Sequence, residues 1–228
     1  MPRIPRSITL LPGFAVHKIW RGHNREWNLE TNEQKQKYLD ILNEELESKQ
    51  VGAVFNALTL MSSHTHEIPN IELPILFSKH MRRHHSRYGM FFNKLMNRCG
   101  KVAQDRPKTC LIADEEHQMK TTFYIHANPV RAGIVRDAKD YYWSTHKLYA
   151  FGKRELWMRN IKLPGWYMKL GRTSEQRQSK YRKLFAGYLM ATGNRKQLFH
   201  QRLFFGPTVW VGEREMVVAE WRAAHAPP

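Results

Sequence analysis

The stretch from residue 121 to residue 135, Thr-Thr-Phe-Tyr-Ile-His-Ala-Asn-Pro-Val-Arg-Ala-Gly-Ile-Val, constrains the fold more than any other part of the chain. Asp114 is a typical N-cap for a helix that runs from there toward Pro129. Apolar residues recur at helical spacing along this segment and predict a buried stripe. Tyr124 and Asn128 are four residues apart and share a different face of the helix. A phenol and a carboxamide on one face indicate that a polar partner packs against this helix.

The predicted partner is the sequence His-Thr-His at positions 64–66. His64 and His66 follow the apolar run Ala53–Met61, which is predicted to be a central strand buried on both faces. Because residues two apart on a strand point to the same side, both imidazoles could bind one metal ion. Two imidazoles, the Asn128 amide and the Tyr124 phenol together indicate a site that cleaves phosphodiester bonds.

These motifs resemble the REP-associated tyrosine transposases, which are relatives of the single-tyrosine transposases in the HUH family of single-strand endonucleases. The resemblance covers about residues 12–149, and its most specific part is the Tyr-Ile-His-x-Asn-Pro-Val segment that begins at Tyr124. The sequence Asp-Tyr-Tyr-Trp-Ser-Thr, which begins at Asp140, also resembles the family's usual Asp-Tyr-x-Trp-Ser-Ser. The resemblance implies a transposase that cuts and rejoins DNA.

The resemblance also implies a role for each group of the site. Tyr124 is the expected nucleophile, which forms a 5′-phosphotyrosine, and His64, His66 and Asn128 are the expected metal ligands. Mg²⁺ or Mn²⁺ is the cofactor by family analogy, whereas the preference of imidazole alone would also allow Zn²⁺ or Ni²⁺. The implied partner is single-stranded DNA with hairpin or palindromic elements. A monomer is expected rather than a homodimer.

The sequence departs from the family pattern around the histidines. Thr65 and Glu67 stand where relatives usually have apolar residues, although every expected ligand is present. These departures leave a second interpretation open, namely a catalytically inactive or domesticated DNA-binding protein of the same fold. A phosphodiesterase that uses water instead of a tyrosine is a third. The base that deprotonates the phenol is not identified, and His117 and Lys120, on roughly the same helical face, are candidates.

The strongly basic composition predicts a polyanionic partner. The formal net charge is +17 and the pI is about 10.1, and each neutralised phosphate releases counterions. The residues predicted to line a DNA backbone track are Arg82, Arg83, Arg87, Lys94, Arg98, Lys101, Arg131 and Arg136. A merely solvated basic face is the alternative. The histidines His80, His84 and His85 lie in the same segment without the glutamate of a zinc-protease helix, and we assign them to this solvated or phosphate-contacting face.

The order of predicted elements, β-α-β-β-α-β-α, is that of an α+β fold with a ferredoxin-like split βαβ antiparallel sheet. Residues 1–150 are predicted to form an HUH-type tyrosine transposase catalytic domain. Residues 151–228 are predicted to form a helical C-terminal extension that could serve as a DNA-binding accessory. In this extension Ser174 is the expected cap of one helix, and Leu198–Phe205 and Glu213–Ala224 are two more expected helices.

The cysteines and the hydropathy pattern bear on location. Cys99 and Cys110 provide neither a disulfide framework nor zinc-binding spacing, so a reducing cytoplasm is expected, with association with the nucleoid. No apolar run approaches the roughly 20 residues that a membrane helix requires. We therefore expect no membrane partner.

Overall fold

The computed structural model describes residues 3–193 and 202–226, except for the side chain of Arg25. The strands in this part of the chain are β1 (Ala15–Arg21), β2 (Ala53–Leu60), β3 (His64–Ile71), β4 (Lys108–Ile112) and β5 (Phe204–Phe205). The helices there are α1 (Arg6–Thr9), α2 (Asn32–Glu47), α3 (Pro74–Leu95), α4 (Glu115–Arg131), α5 (His146–Phe151), α6 (Gly165–Met168), α7 (Ser174–Thr192) and α8 (Thr208–Ala224).

The described strands form one sheet in the order β2-β3-β1-β4-β5. Strand β1 pairs antiparallel with β3 on one side and β4 on the other, and β2 pairs antiparallel with β3. Helices α2 and α3 form the two crossover connections, which gives the split βαβ arrangement. The predicted ferredoxin-like α+β fold is therefore confirmed.

The edge strand β5 corrects one prediction. The segment Leu198–Phe205 was expected to be helical; residues 198–201 lie outside the described residues, but Phe204–Phe205 is a strand parallel to β4. Its backbone completes the edge of the sheet, because the amides of Leu111 and Ala113 donate to the carbonyls of Leu203 and Phe205. Pairing with the open edge of β4 satisfies these backbone groups. The helical spacing of residues in the sequence does not reveal such a long-range pairing.

The caps of the long helices follow from the sequence. Thr31 and Gln34 form a capping box at the start of α2, in which each side chain accepts a hydrogen bond from the other residue's backbone N–H. The Asp114 carboxylate accepts from the amide of His117 and starts α4 as predicted. Helix α7 is capped by Thr173 rather than by the predicted Ser174, again through a capping box.

The two faces of the sheet have different coverings. Side chains alternate along a strand, so His17 and Lys18 of β1 point to opposite faces. The phenol of Tyr38 in α2 contacts Lys18, whereas the ring of Tyr124 in α4 contacts His17. Helices α2 and α3 thus cover one face, and α4 covers the other.

The histidines of α3 lie inside the helical layer, which contradicts their assignment to a solvated face. His80 and His84 are fully buried. Nδ1 of His80 lies 2.7 Å from a Glu45 carboxylate oxygen, and Nε2 of His84 lies 3.0 Å from the Tyr38 carbonyl oxygen. These partners belong to α2, which is distant in sequence, so the local basic pattern around the histidines was misleading. Burial lowers the pKa of His84 to about 3, which keeps its ring neutral.

The C-terminal extension packs against α4. His126 of α4 is buried, with Nδ1 2.6 Å from the Tyr181 hydroxyl of α7 and Nε2 2.8 Å from the Thr145 hydroxyl. The same Tyr181 hydroxyl lies 3.2 Å from Nδ1 of His146 in α5. The boundary predicted at residue 150 falls inside α5. Among the described helices, none is long and apolar enough to cross a membrane.

Candidate active site

The two histidines of the His-Thr-His sequence lie side by side on β3. Their ring centroids are 4.8 Å apart and the rings are nearly perpendicular, at 83°. Nδ1 of His64 lies 3.0 Å from the hydroxyl of Ser63. His66 is nearly fully buried, whereas His64 is partly exposed. The alternation of a strand therefore places both imidazoles on one face, as the spacing predicts.

Tyr124 approaches these histidines from α4. Its ring meets the His66 ring edge-on, with the centroids 5.6 Å apart, and its side chain is 9% exposed. Asn128 lies one helical turn further on. The structure thus brings together the four residues that the sequence singled out, on one side of the sheet.

The electrostatic surroundings of the phenol act in opposite directions. Burial raises the pKa of Tyr124 above its ordinary value, and the Asn128 side chain and the positive charge of Arg131 act against this rise. The Arg131 guanidinium lies over the Tyr124 ring, 5.8 Å from its centroid. The phenol is therefore protonated at neutral pH, but a cation stands close enough to stabilise a phenolate.

His17 is a site residue that the sequence analysis did not identify. It lies on β1, with Nε2 2.9 Å from Nδ1 of His66, and the two rings are stacked at 5.1 Å. Its ring also meets Tyr124 edge-on at 5.8 Å. The contact joins residues 49 positions apart. Only the pairing of β1 with β3 could have revealed it, since a lone histidine in a predicted strand carries no local signal.

The residues present fit a metal ion in part. The buried Nδ2 of Asn128 makes no hydrogen bond to the described residues, and exchanging the indistinguishable oxygen and nitrogen of the amide would place an acceptor there. Two imidazoles and an amide oxygen are neutral ligands that leave the charge of a divalent ion intact. However, no group of three His, Cys, Asp or Glu side chains that could hold a metal ion occurs within residues 3–193 and 202–226.

A buried ion pair lies directly behind this site. Lys18 and Glu67 are register partners on β1 and β3, both fully buried, with Nζ 2.8 Å from the nearer carboxylate oxygen. Tyr38 and Thr65 donate further hydrogen bonds to the same carboxylate, at 2.6 and 2.9 Å. Burial acts to raise the pKa of Glu67, but the Lys18 charge and the hydrogen bonds from Lys18 and Tyr38 outweigh it and hold that pKa below its ordinary value. Thr65 and Glu67, the two polar residues that depart from the family pattern, are thus hydrogen-bonded in the core behind the site.

The predicted DNA-contacting residues do not lie on one face. Arg82, Arg83, Arg87 and Lys94 belong to α3, on the side of the sheet opposite Tyr124. Three of the predicted residues are paired with acids: Arg83 with Glu45, Arg87 with Glu44 and Glu45, and Arg98 with Glu26. Arg82, Lys94, Lys101 and Arg136 are exposed.

Arg131 lies beside the site and contacts α7. Its guanidinium donates to the hydroxyl of Thr192 and to the carbonyl of Gly193, and it lies over the ring of Tyr188. Its contact with DNA stays a prediction, as do those of the other seven residues.

The two candidate bases have local partners. Nδ1 of His117 lies 2.8 Å from the Asp114 carboxylate, and the ammonium of Lys120 lies 2.6 Å from Glu116. Both belong to the first half of α4, and His117 is about 10 Å along the helix axis from Tyr124. These contacts give no support to either residue as the base.

Comparison with known structures adds to this geometry. A solved structure of a REP-associated tyrosine transposase bound to a REP hairpin matches with a TM-score of 0.51 and 20% sequence identity. The match covers 68% of this chain and 89% of that one. The chain shares the fold of that transposase. The resemblance that the sequence motifs indicate is thus confirmed for the fold. No family model and no curated protein sequence matches this chain.

Proposed function

We propose that this protein cleaves and rejoins single-stranded DNA at hairpin-associated sites through a 5′-phosphotyrosine on Tyr124. The observation that carries the proposal is the edge-on contact of the Tyr124 ring with His66, 5.6 Å between centroids, with His64 beside it. A nucleophile beside two imidazoles on one side of a sheet suits metal-assisted phosphodiester cleavage, because it places the attacking oxygen close to the proposed ligands of the ion. The shared fold with a transposase that binds a REP hairpin supports DNA as the substrate.

In the proposed reaction, the Tyr124 hydroxyl loses its proton and its oxygen attacks the scissile phosphorus. The new Tyr–O–P bond forms as the bond from phosphorus to the 3′ oxygen breaks, and this oxygen takes up a proton to give a 3′-hydroxyl. The phosphotyrosine conserves the ester, so attack by another 3′-hydroxyl reverses the step. Arg131, 5.8 Å from the ring centroid, stabilises the negative charge of the phenolate before attack.

The proposed ligands of a divalent ion, Mg²⁺ or Mn²⁺, are His64, His66 and Asn128. When bound, the ion would polarise the scissile phosphate. Nδ1 of His64 and Nδ1 of His66 have hydrogen-bonding neighbours in Ser63 and His17, which hold the two rings in position. His17, whose Nε2 lies 2.9 Å from Nδ1 of His66, is thus a positioning residue for the His66 ring.

The test is a labelled single-stranded hairpin oligonucleotide incubated with Mn²⁺ or Mg²⁺. The wild type should give a covalent protein–DNA adduct that survives denaturing electrophoresis. Tyr124→Phe should abolish the adduct and retain DNA affinity, whereas Tyr142→Phe, a control at an exposed tyrosine, should still form it. An adduct formed by Tyr124→Phe would refute the assignment of the nucleophile. Repeated turnover without an adduct would indicate hydrolysis by water.

A second candidate function is DNA binding without catalysis. It is favoured by the net charge of +17 and by the exposed Arg82, Lys94 and Lys101, which can attract DNA without a metal ion. This candidate predicts hairpin binding with a steep salt dependence that EDTA leaves unchanged, and no adduct with any divalent ion. The same adduct assay therefore separates the two functions.

A further inference from the structure

A basic cavity lies at the edge of the molecule, away from the residues that the sequence assigned to DNA. It has a volume of about 260 Å³ and is formed where α1, the segment before β4 and the segment before β5 meet. Four cationic side chains line it: Arg6, Arg106, Lys108 and Arg202. The only acidic side chain of its lining is Asp105.

These positive charges are poorly compensated. Asp105 is already engaged, because it accepts from the guanidinium of Arg3 at 2.9 Å and from the backbone amide of Arg106. Within residues 3–193 and 202–226, none of the four cations lining the cavity forms an ion pair. Burial and the nearby charge of Arg106 lower the pKa of Arg6 to about 10, and the opposing charge of Asp105 only partly offsets them. An anion in the cavity would relieve this repulsion.

The cavity differs in this respect from the basic face of α3. Arg83, Arg87 and Arg98 on and after that helix are each paired with a carboxylate, which weakens their attraction for a phosphate. In the cavity, Arg6 and Arg106 instead donate to backbone carbonyls, Arg6 to that of Pro107 and Arg106 to that of Ile4, both at 3.0 Å. These bonds hold the guanidinium groups in place without neutralising them.

The position of the cavity relative to the candidate active site follows from the strand register. Lys108 pairs with Ile19, and Ile19 pairs with His66. Directly paired residues of antiparallel strands share a face, and neighbouring strands are about 4.8 Å apart. The Cα atoms of Lys108 and His66 are therefore roughly 10 Å apart across the sheet. This separation is short enough for one DNA strand to reach both positions.

We propose that this cavity binds a backbone phosphate of the DNA strand, a few nucleotides from the bond that is cleaved. The inference rests on the proposed function for the identity of the strand. The planar, fixed N–H groups of Arg6 and Arg106 suit two oxygens of one phosphate, and Lys108 adds a point charge. The cavity would thus fix the position of the strand while Tyr124 reacts with it.

The test compares two variants that remove the same charge. Arg106→Gln/Lys108→Gln alters two exposed residues of the cavity, and Lys79→Gln/Lys153→Gln alters two exposed lysines elsewhere. Binding of a labelled single-stranded hairpin oligonucleotide is measured against salt concentration in EDTA. The cavity variant should lose about 0.7 from the salt slope beyond any loss in the control, and about fivefold in affinity at 0.1 M salt, as expected for one phosphate contact. Equal losses in the two variants would overturn the proposal.

Two further arms make the result decisive. In the wild type, bound DNA should protect Lys108 but not Lys79 from acetylation, as read by mass spectrometry; equal labelling with and without DNA would count against the proposal even if the variants fold poorly. Calorimetry with inorganic phosphate distinguishes the source of the anion. A cavity that binds free phosphate but has no effect on DNA affinity would also overturn it. Because EDTA prevents cleavage, failure of the proposed chemistry would leave these readouts unchanged.

Discussion

Replacing Glu67 by leucine is expected to destabilise the protein strongly. The substitution leaves the Lys18 ammonium fully buried without its counter-charge, and it removes the acceptor for Tyr38 and Thr65. At 2.8 Å and an effective dielectric constant of about 20, the lost attraction is on the order of 6 kcal/mol before desolvation is counted. Breaking a buried pair from one side costs about 3–5 kcal/mol in practice.

The double substitution Lys18→Met/Glu67→Leu is expected to recover most of that loss. It removes both charges, so neither desolvation penalty remains, and buried pairs replaced by apolar residues are often neutral. The Tyr38 hydroxyl still has a neighbour, because Nε2 of His85 lies 3.3 Å from it. We therefore expect the double variant within about 2 kcal/mol of the wild type.

Urea unfolding followed by circular dichroism gives the free energies for this double-mutant cycle. A loss of 3–5 kcal/mol corresponds to a fall in Tm of roughly 6–20 °C for a chain of this size. The exposed pair Lys120 and Glu116 is the matched control, since Lys120→Met/Glu116→Leu should leave the stability nearly unchanged. If Glu67→Leu alone cost under about 1 kcal/mol, the pair would not be charged in the folded protein and the reasoning would be refuted.

Three other predictions concern separate parts of the molecule. His17→Leu should weaken Mn²⁺ binding about 10–100-fold, because the His66 ring loses the partner that orients it. Electron paramagnetic resonance with Mn²⁺ alone measures this affinity, and an unchanged affinity would contradict the role of His17. Burial lowers the pKa of His146 from 6.5 to about 4. As the pH falls, the unfolded chain therefore takes up this proton before the folded protein does. The free energy of unfolding should thus decrease by roughly 3 kcal/mol between pH 6.5 and about pH 4. In His146→Gln, the part of the pH dependence of stability that this ring causes should vanish. The urea concentration at the midpoint of unfolding, measured across that pH range, would show this. Thr31→Ala should cost about 1 kcal/mol by loss of the capping box, and a thermal melt unchanged within error would contradict it.

Local patterns predicted much of the fold. The cap at Asp114, the apolar run at 53–61 and the alternation of the His-Thr-His sequence each act within a few residues, and the structure has the helix and the strands there. The order of elements was then sufficient for the split βαβ arrangement, because few topologies connect such a sequence of strands and helices.

The features that the sequence did not reveal depend on pairing across long separations. Glu67 looked like a departure from the family pattern, but its partner Lys18 lies 49 residues earlier. The contact of His17 with His66 spans the same separation. The buried histidines of α3 need acceptors from α2 before their burial is favourable. Single-chain periodicity carries no information about such partners, so the candidate site was predicted without its orienting histidine.

The attachment of α4 to α7 has a consequence for how DNA would be exchanged. The Tyr181 hydroxyl touches the rings of both His126 and His146, and Arg131 bonds the last turn of α7. Swinging the phenol away from the imidazoles would therefore require two helices to separate and several buried polar groups to lose their partners. A DNA end joined to Tyr124 would stay where it was cut, and the strand that replaces the departing one would have to come to it.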